Sequence, residues 1–498
     1  MGAEPGLTEA ALGDGATVLL MGQGDLWEDA LVEALTRHGV FVEHVAADAV
    51  VTAAVAAAPD LIVLLGDATG EQSGRILREL ATAQTTSIVP VVLLARDDAL
   101  DERLRAFRHG AVAVVPRSSS VDEMATRICS LIREIPERRG EAIGEMGEAT
   151  LDEFVDVVSR ELRSGILSVK SSQRDDTLVR MVLGKGRDVA RIVDEFVSRV
   201  QPLVKSAEPV RYEFHEQAPG TLEQLDAGSP RREAREGDIR DMRIVLADDD
   251  PGRADEVAQA LRAQGASVAV VRPDDIDVER VQHLDPEVII LGEEQAEAPG
   301  VDVLHRTRQH VRLRWARLLV VRWQDVWVGP TKVSTLSRLI ERLVQLGEPE
   351  RELRRRMASG QPFDTRIEIT GPARMLRVLS TTNRPLRAIS TSLRGRLVVD
   401  AAEGLIVGAS GRSATEPALE GDKAIAAMLV LTSARVHVEP VSRPAVANLM
   451  ATVDVALTRA TSEIASLPNG WNTNPSIAPP RLTTRLTVAS SAPAPVPV

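Results

Sequence analysis

The sequence predicts an α/β chain: two doubly wound parallel-sheet domains alternating with two small α+β domains, then a disordered C-terminal tail. Two observations predict it. A buried-strand segment occurs twice, as Pro-Asp-Leu-Ile-Val-Leu-Leu-Gly over 59–66 and Pro-Glu-Val-Ile-Ile-Leu-Gly over 286–292. Each is a continuous apolar run after a Pro-acid start, which suits a strand covered on both faces of a parallel sheet. Each is followed, after further α/β elements, by glycine-punctuated strands that alternate like half-exposed antiparallel ones. A chain of 498 residues, 44% of them hydrophobic, suffices for about three to four domains with their own cores.

In the first half, Val18–Met21 precedes the buried run, and an amphipathic helix over Leu26–His38 ends at Gly39. In the second half, Ile244–Ala247 leads into Asp248-Asp249-Asp250-Pro251, and a helix over Ala254–Gln264 ends at Gly265. Glycine is the residue a helix C-terminus prefers. The order β-α-β-α-β is therefore written twice, as an internal duplication would leave it. The first copy continues with Pro90–Leu94, a helix over Asp101–Arg108, a strand over Gly110–Val115 and a last helix from Val121.

These segments, roughly 15–136 and 242–346, resemble the receiver domains of bacterial response regulators. The resemblance implies a flavodoxin-like fold and a role in two-component phosphorelay signalling. Receivers accept a phosphoryl group on an aspartate that ends the third strand, with an acid pair holding Mg²⁺ and a Thr and a Lys reading the product. The acceptor must be a carboxylate, because the signal is a covalent acyl phosphate. Carried onto this chain, the acceptor slot is Gly66 in the first copy, with Asp67 one residue beyond, and Gly292 in the second. The acid pair falls on Gly22 and Gln23 in the first copy and is kept as Asp248 and Asp249 in the second. The Thr and Lys slots fall on Ala95 and Arg117, then on Val321 or Arg322 and Gly329. Both copies read as degenerate pseudo-receivers. Asp248 and Asp249 are candidate Mg²⁺ ligands, although Asp250 before Pro251 also has the form of a helix N-cap. Glu293 follows the second empty slot, either as a fixed negative charge in place of phosphate or as a solvated turn carboxylate.

The second copy is shorter. Only Arg322–Asp325 separate the fourth strand from an expected fifth at Val326–Val328, so the family's fourth helix is missing. Three of five tryptophans cluster here, Trp315, Trp323 and Trp327, interleaved with Arg312, Arg314, Arg317 and Arg322. Trp and Arg are enriched at interface hot spots. Trp315, Arg322, Trp323 and Trp327 are therefore candidates for a partner surface, or else they fill the space the helix leaves.

Residues 148–216 and 366–460 form the second kind of unit. The first runs through a helix Leu151–Leu162, strands at Gly165–Val169 and Leu178–Leu183, a helix from Asp188 and a strand Val210–Phe214. The second carries a helix Ala373–Ser380, Gly395-Arg396-Leu397, Gly404–Ala409, a helix from Asp422 after Gly421, and a strand Ala434–Val438. These resemble PATAN domains, interaction modules often fused to receivers, which implies partners among signalling or motility proteins.

Glu134–Thr150, Gln217–Arg240 and Glu348–Gln361 read as linkers, the last of them charged and helical, and 468–498, rich in Pro, Ser, Thr and Ala, as the disordered tail. No positive stretch precedes an apolar one at the N-terminus, and no run approaches the ~18 apolar residues of a membrane span, so a cytoplasmic protein without membrane insertion is expected. A net charge of −13 disfavours nucleic acid. The eight histidines fall singly, one cysteine cannot form an internal disulfide, and no phosphate loop, metal spacing or nucleophile turn is present. The expectation is a non-enzymatic signalling scaffold. The alternative is a regulator that still responds to phosphate or Mg²⁺.

Overall fold

In the computed structural model the two Pro-acid runs are inner strands of two separate five-stranded parallel sheets. The structure describes residues 16–471 except 23, 67–70, 83–84, 97–105, 107–108, 118–119, 139–140, 148–163, 174–175, 185–188, 207–208, 218–220, 226–237, 277–278, 299–302, 327–332, 393, 414–415 and 469. The first sheet comprises β1 (Ala16–Met21), β2 (Val40–Val45), β3 (Leu61–Leu65), β4 (Val91–Ala95) and β5 (Ala113–Pro116), in the order β2-β1-β3-β4-β5. That is a doubly wound order, with helices α1 (Leu26–Arg37), α2 (Val50–Ala57), α3 (Glu71–Thr82) and α4 (Val121–Arg138) following strands 1, 2, 3 and 5. Alternate residues of β1 explain the two layers. Val18 and Leu20 pack with Leu31, Leu35 and Met124, while Leu19 and Met21 pack with Ile76 and Leu80. The helix expected over 101–108 falls outside the described residues, apart from Ala106.

The next sheet is antiparallel, ordered β6-β9-β7-β8 from β6 (Glu141–Met146), β7 (Gly165–Ser171), β8 (Thr177–Leu183) and β9 (Val210–Glu216), with α5 (Val189–Val204) between β8 and β9. The stretch expected as a linker over 134–150 thus supplies the end of α4 and an edge strand. The helix expected over 151–162 lies outside the described residues.

The second parallel sheet holds β11 (Arg243–Ala247), β12 (Ser267–Val271), β13 (Val288–Gly292) and β14 (Arg317–Val321), with α6 (Pro251–Ala263), α7 (Glu279–Leu284), α8 (Glu293–Glu297) and α9 (Val303–Gln309) between them. Its order, β12-β11-β13-β14-β10, repeats the first sheet except at the fifth place. Of the expected fifth strand at Val326–Val328 only Val326 is described, and it lies in no strand. Trp323–Val326 is instead a short helix, α10, leading towards the long α11 (Val333–Ser359). The fifth strand is β10 (Leu222–Leu225), which arrives from upstream out of the expected linker and pairs parallel to β14. Its buried polar residues are satisfied: Glu223 pairs with Arg342 of α11 at 2.5 Å, and Gln224 accepts from the Gly184 N–H at 2.9 Å. Leu222 and Leu225 point into the two opposite cores.

The last sheet is antiparallel: β15 (Phe363–Arg366), β16 (Leu386–Ser392), β17 (Gly395–Ala402), β18 (Leu405–Arg412), β19 (Leu419–Glu420), β20 (Arg435–Pro440) and β21 (Ala451–Thr452), ordered β15-β20-β16-β17-β18-β19 with β21 on β18. Helices α12 (Ile367–Thr370), α13 (Pro372–Ser380), α14 (Asp422–Val430) and α15 (Val453–Glu463) complete it. By position the earlier antiparallel order β6-β9-β7-β8 corresponds to β15-β20-β16-β17. Gly165–Val169 therefore matches Leu386–Ser392 and not, as its sequence suggested, the strand at Gly395. The fold also runs past Pro468, where the tail was expected to begin. Trp471 is fully buried in the core, and its neighbour Gly470 is tied to Arg394 and Glu416.

Candidate functional site

In a doubly wound sheet the loops at the carboxyl ends of the strands form the site. At that end of the first parallel sheet the structure places no carboxylate on the expected slots it describes. Gly66 holds φ +145°, and a Cβ built on it would lie 2.6 Å from Ser73 Oγ. A Cβ on Gly22 would collide with the Glu28 carboxylate. Glu28 is buried because it closes a capping box at the start of α1. It accepts from the Gly24 N–H at 2.5 Å and lies 3.0 Å from His44 Nε2. Arg117 stacks its guanidinium 4.1 Å over the Trp27 ring and lies 3.9 Å from Asp25. Gln23 and Asp67 lie outside the described residues.

At the same end of the second sheet, Asp248 is fully buried and bidentate to Arg253, with both contacts at 2.6 Å. Its Oδ1 also accepts the Asp250 N–H at 3.0 Å. The Arg253 pKa is raised, first by that hydrogen bond to Asp248. Asp250 caps α6 through the Gly252 and Arg253 N–H groups, and Asp249 is exposed. These residues do not fit a Mg²⁺ ion: both oxygens of Asp248 are occupied by protein donors, and Asp249 remains as a single solvated ligand. Among the described residues no three His, Cys, Asp or Glu side chains gather as a metal would need. The acceptor slot is closed as well. A Cβ on Gly292 would fall on Gln295 Oε1 and 3.0 Å from Trp323 Nε1. Trp323, 6% exposed, fills this space, with Arg253 5.2 Å over its ring.

The remaining candidates sit at joints within the chain. Glu293 is held by Arg191 of α5 at 3.2 Å and by Arg322 at 3.1 Å, and Glu297 by Arg199 of α5 at 2.9 Å. Burial raises both carboxyl pKa values, against the pull of these arginines. Glu293 therefore belongs to the joint between the first antiparallel sheet and the second parallel one. Trp315 packs against Gly371 of the last sheet's unit, where a Cβ would come within 2.5 Å of it. Around it Arg374 donates to the Trp315 carbonyl at 2.8 Å, and Arg314 donates to the carbonyls of Leu429 and Leu431 at 2.7 and 2.8 Å. Burial without a carboxylate partner lowers the Arg314 pKa to about 10. The cluster around Trp315, Arg322 and Trp323 is thus turned inward, joining parts of one chain. Trp327 and Gly329 lie outside the described residues.

Sequence reasoning missed the residues that organise these joints. Each Pro-acid start ends a turn whose preceding residue, Ala58 or Asp285, has φ +45°. The acid then staples two strand starts: Asp60 Oδ2 accepts the Thr17 N–H at 2.9 Å, and Glu287 Oε1 accepts the Arg243 N–H at 3.2 Å. Both starts also receive the last unit. Arg366 donates to the Pro59 carbonyl and to Asp60, each at 2.8 Å. Asp285 is gripped by Arg312 and Arg377 at 2.6 Å each. The repeated Pro-acid pair was the available signal, and it reads as a strand start until the last unit is seen against it.

Solved structures similar to this chain include response regulators and signal receiver domains. They include response regulators from Desulfuromonas acetoxidans and Thermotoga maritima, each 19% identical, covering 24% of this chain and 98% of theirs, at TM-score 0.22. A BeF3-activated N-terminal receiver domain of RstA from Klebsiella pneumoniae is 18% identical over 24% of this chain and 98% of its own, at TM-score 0.21. No protein-family model matches the sequence. No curated protein matches it either. No helix among the described residues is long and apolar enough to cross a membrane.

Proposed function

We propose that this chain is a non-enzymatic signal-transduction scaffold, in which two pseudo-receivers and two PATAN-like units bind other signalling proteins without aspartyl phosphorylation. One observation carries the reading: the acceptor slot of the second parallel sheet is a glycine covered by Gln295 and Trp323, beside an acid already neutralised by Arg253. A phosphoryl group needs an open carboxylate with a cation beside it. Here the carboxylate is absent and the place of the cation is taken by a guanidinium. The first sheet supports the same reading through Gly66 and the occupied pocket at Gly22.

The test is intact mass after incubation with acetyl phosphate and Mg²⁺, beside a competent receiver. The expected result is no added phosphoryl group on this chain while the control is modified. One adduct mapping to Asp67, or near Glu293, would overturn the proposal in favour of a phosphorylation-responsive regulator.

A further inference from the structure

An antiparallel sheet packed on one face leaves its other face to water or to an occupant. The last sheet is of this kind. Leu397, Val399 and Val436 turn into its core, so their neighbours along the strands turn outward. One outward row crosses five strands: Arg366, Arg435, Thr391, Arg396 and Arg412 lie opposite one another in that order. Its first two members are engaged by the first parallel sheet. Arg366 binds Asp60 at 2.8 Å, and Arg435 donates to the Thr17 hydroxyl at 2.6 Å. Arg396 and Arg412 are exposed, and among the described residues neither has a hydrogen bond or an ion pair. Like charges directly opposite on a sheet are destabilising. The next outward row holds Ile389 and Val398, both half-buried, and in the row beyond it Asp400 already answers Arg387 at 2.8 Å. The open part of this face is thus two apolar side chains beside two unanswered guanidinium groups.

We infer that this face is the docking site of residues 1–15 of the same chain. Charge and position select that occupant. The segment carries Glu4, Glu9 and Asp14 with no Lys, Arg or His, and Leu7 and Leu12 lie between those acids. It joins β1 at Ala16, immediately before Thr17, and Thr17 holds Arg435, which stands next to the open part of the row. From β20 to β18 is three strand spacings, about 14 Å. Fifteen residues reach as far as about 50 Å when extended, so the segment spans the whole open face. Leu7 and Leu12 cover Ile389 and Val398, and the carboxylates answer Arg396 and Arg412. A tether this short keeps the acids at a local concentration of about a millimolar, so weak exposed ion pairs suffice to hold the segment in place.

Zero-length cross-linking of the full chain tests this. Arg396→Lys keeps the charge at an exposed position and supplies an amine that a carbodiimide joins to a carboxylate in contact with it. The expected product is an amide bond from that amine to Glu4, Glu9 or Asp14, found by peptide mapping of the monomer fraction. Its yield should fall severalfold as salt is raised, since exposed charges are screened. Independently, a peptide of residues 1–15 should bind saturably to the chain lacking those residues. Arg396→Ala with Arg412→Ala should weaken that binding by about threefold or more, the scale of two exposed ion pairs. Both positions are exposed, so the fold should survive the change, with unaltered circular dichroism as the check. Absence of the cross-link together with absence of peptide binding would overturn the inference and leave the face to another protein's acidic segment. A link found only between two chains would overturn docking within one chain and assign the face to a second copy. Peptide binding that survives loss of both arginines would place the segment elsewhere on the molecule.

Discussion

A single side chain decides whether a receiver-like sheet can carry a phosphoryl group, and under the proposed reading Gly292 leaves no room for one, because Gln295 and Trp323 fill the space a Cβ would take. Restoring the carboxylate is not enough. Gly292→Asp must displace Gln295 Oε1 and press on Trp323, so we expect a destabilised protein that still takes no phosphoryl group from acetyl phosphate, read by intact mass. Trp323→Ala removes a buried indole from the core of the second sheet and should cost about 3–5 kcal/mol in urea unfolding. Loss of less than about 1 kcal/mol would mean that the ring contributes little to the core, as an exposed contact residue would. Of this site, the glycine slots and the paired acids were legible in the sequence, because receivers place them next to strands with strong apolar runs. The identity of Asp250 as a cap was legible too, from Pro251 after it. That Arg253 neutralises Asp248 was not, since one arginine in a charged helix carries no mark of the carboxylate it will meet.

Elements were legible in proportion to their hydrophobic pattern. The eight inner and flanking strands β1–β4 and β11–β14 announce themselves through Val, Ile and Leu. β10 does not: Leu-Glu-Gln-Leu in a Pro- and Gly-rich stretch reads as a loop, and its partner β14 lies almost a hundred residues downstream. Only tertiary pairing with Arg342 and Gly184 makes it a strand. α11 shows the converse. Its second half reads as a charged, helical linker, and a helix forms there, yet it carries the buried Glu350, bonded to Arg243 at 3.2 Å and Arg354 at 2.8 Å and lying near Arg374. Burial opposes ionisation of Glu350, but these arginines prevail and hold its pKa below 4.5, while Glu287, buried beside it, is pushed up. A lowered folded-state pKa stabilises above the unfolded value and loses that stabilisation as pH falls through the folded one. Glu350→Gln leaves buried guanidinium groups uncompensated and should cost about 3–5 kcal/mol at pH 7. The gap between wild type and variant in chemical denaturation should close as pH drops below 4.5. A gap that stayed constant from pH 7 to about pH 3 would show that the carboxylate's charge is not what holds the helix.

At the scale of the molecule, the last unit touches both parallel sheets at the amino ends of their strands, away from the loops where a receiver does its chemistry. Two buried ion-pair groups fasten it: Arg366 with Asp60 and Glu368, and Asp285 with Arg312 and Arg377. Neither was readable from local sequence, because each unites residues from separate units. Their residues are disjoint, so the joints should yield separately. Arg366→Met should raise hydrogen exchange at the starts of β1 and β3 and in β15, leaving α13 protected. Asp285→Asn should do the reverse, exposing α13 and the turn before β13 while β15 stays protected. Each breaks a buried pair by removing one partner, a loss of about 3–5 kcal/mol at that joint. With no shared partner, their costs in the double variant should add to within about 0.5 kcal/mol. If either substitution alone raised exchange across both joints, the last unit would be held as one cooperative block, and a disturbance at either parallel sheet would reach the other through it.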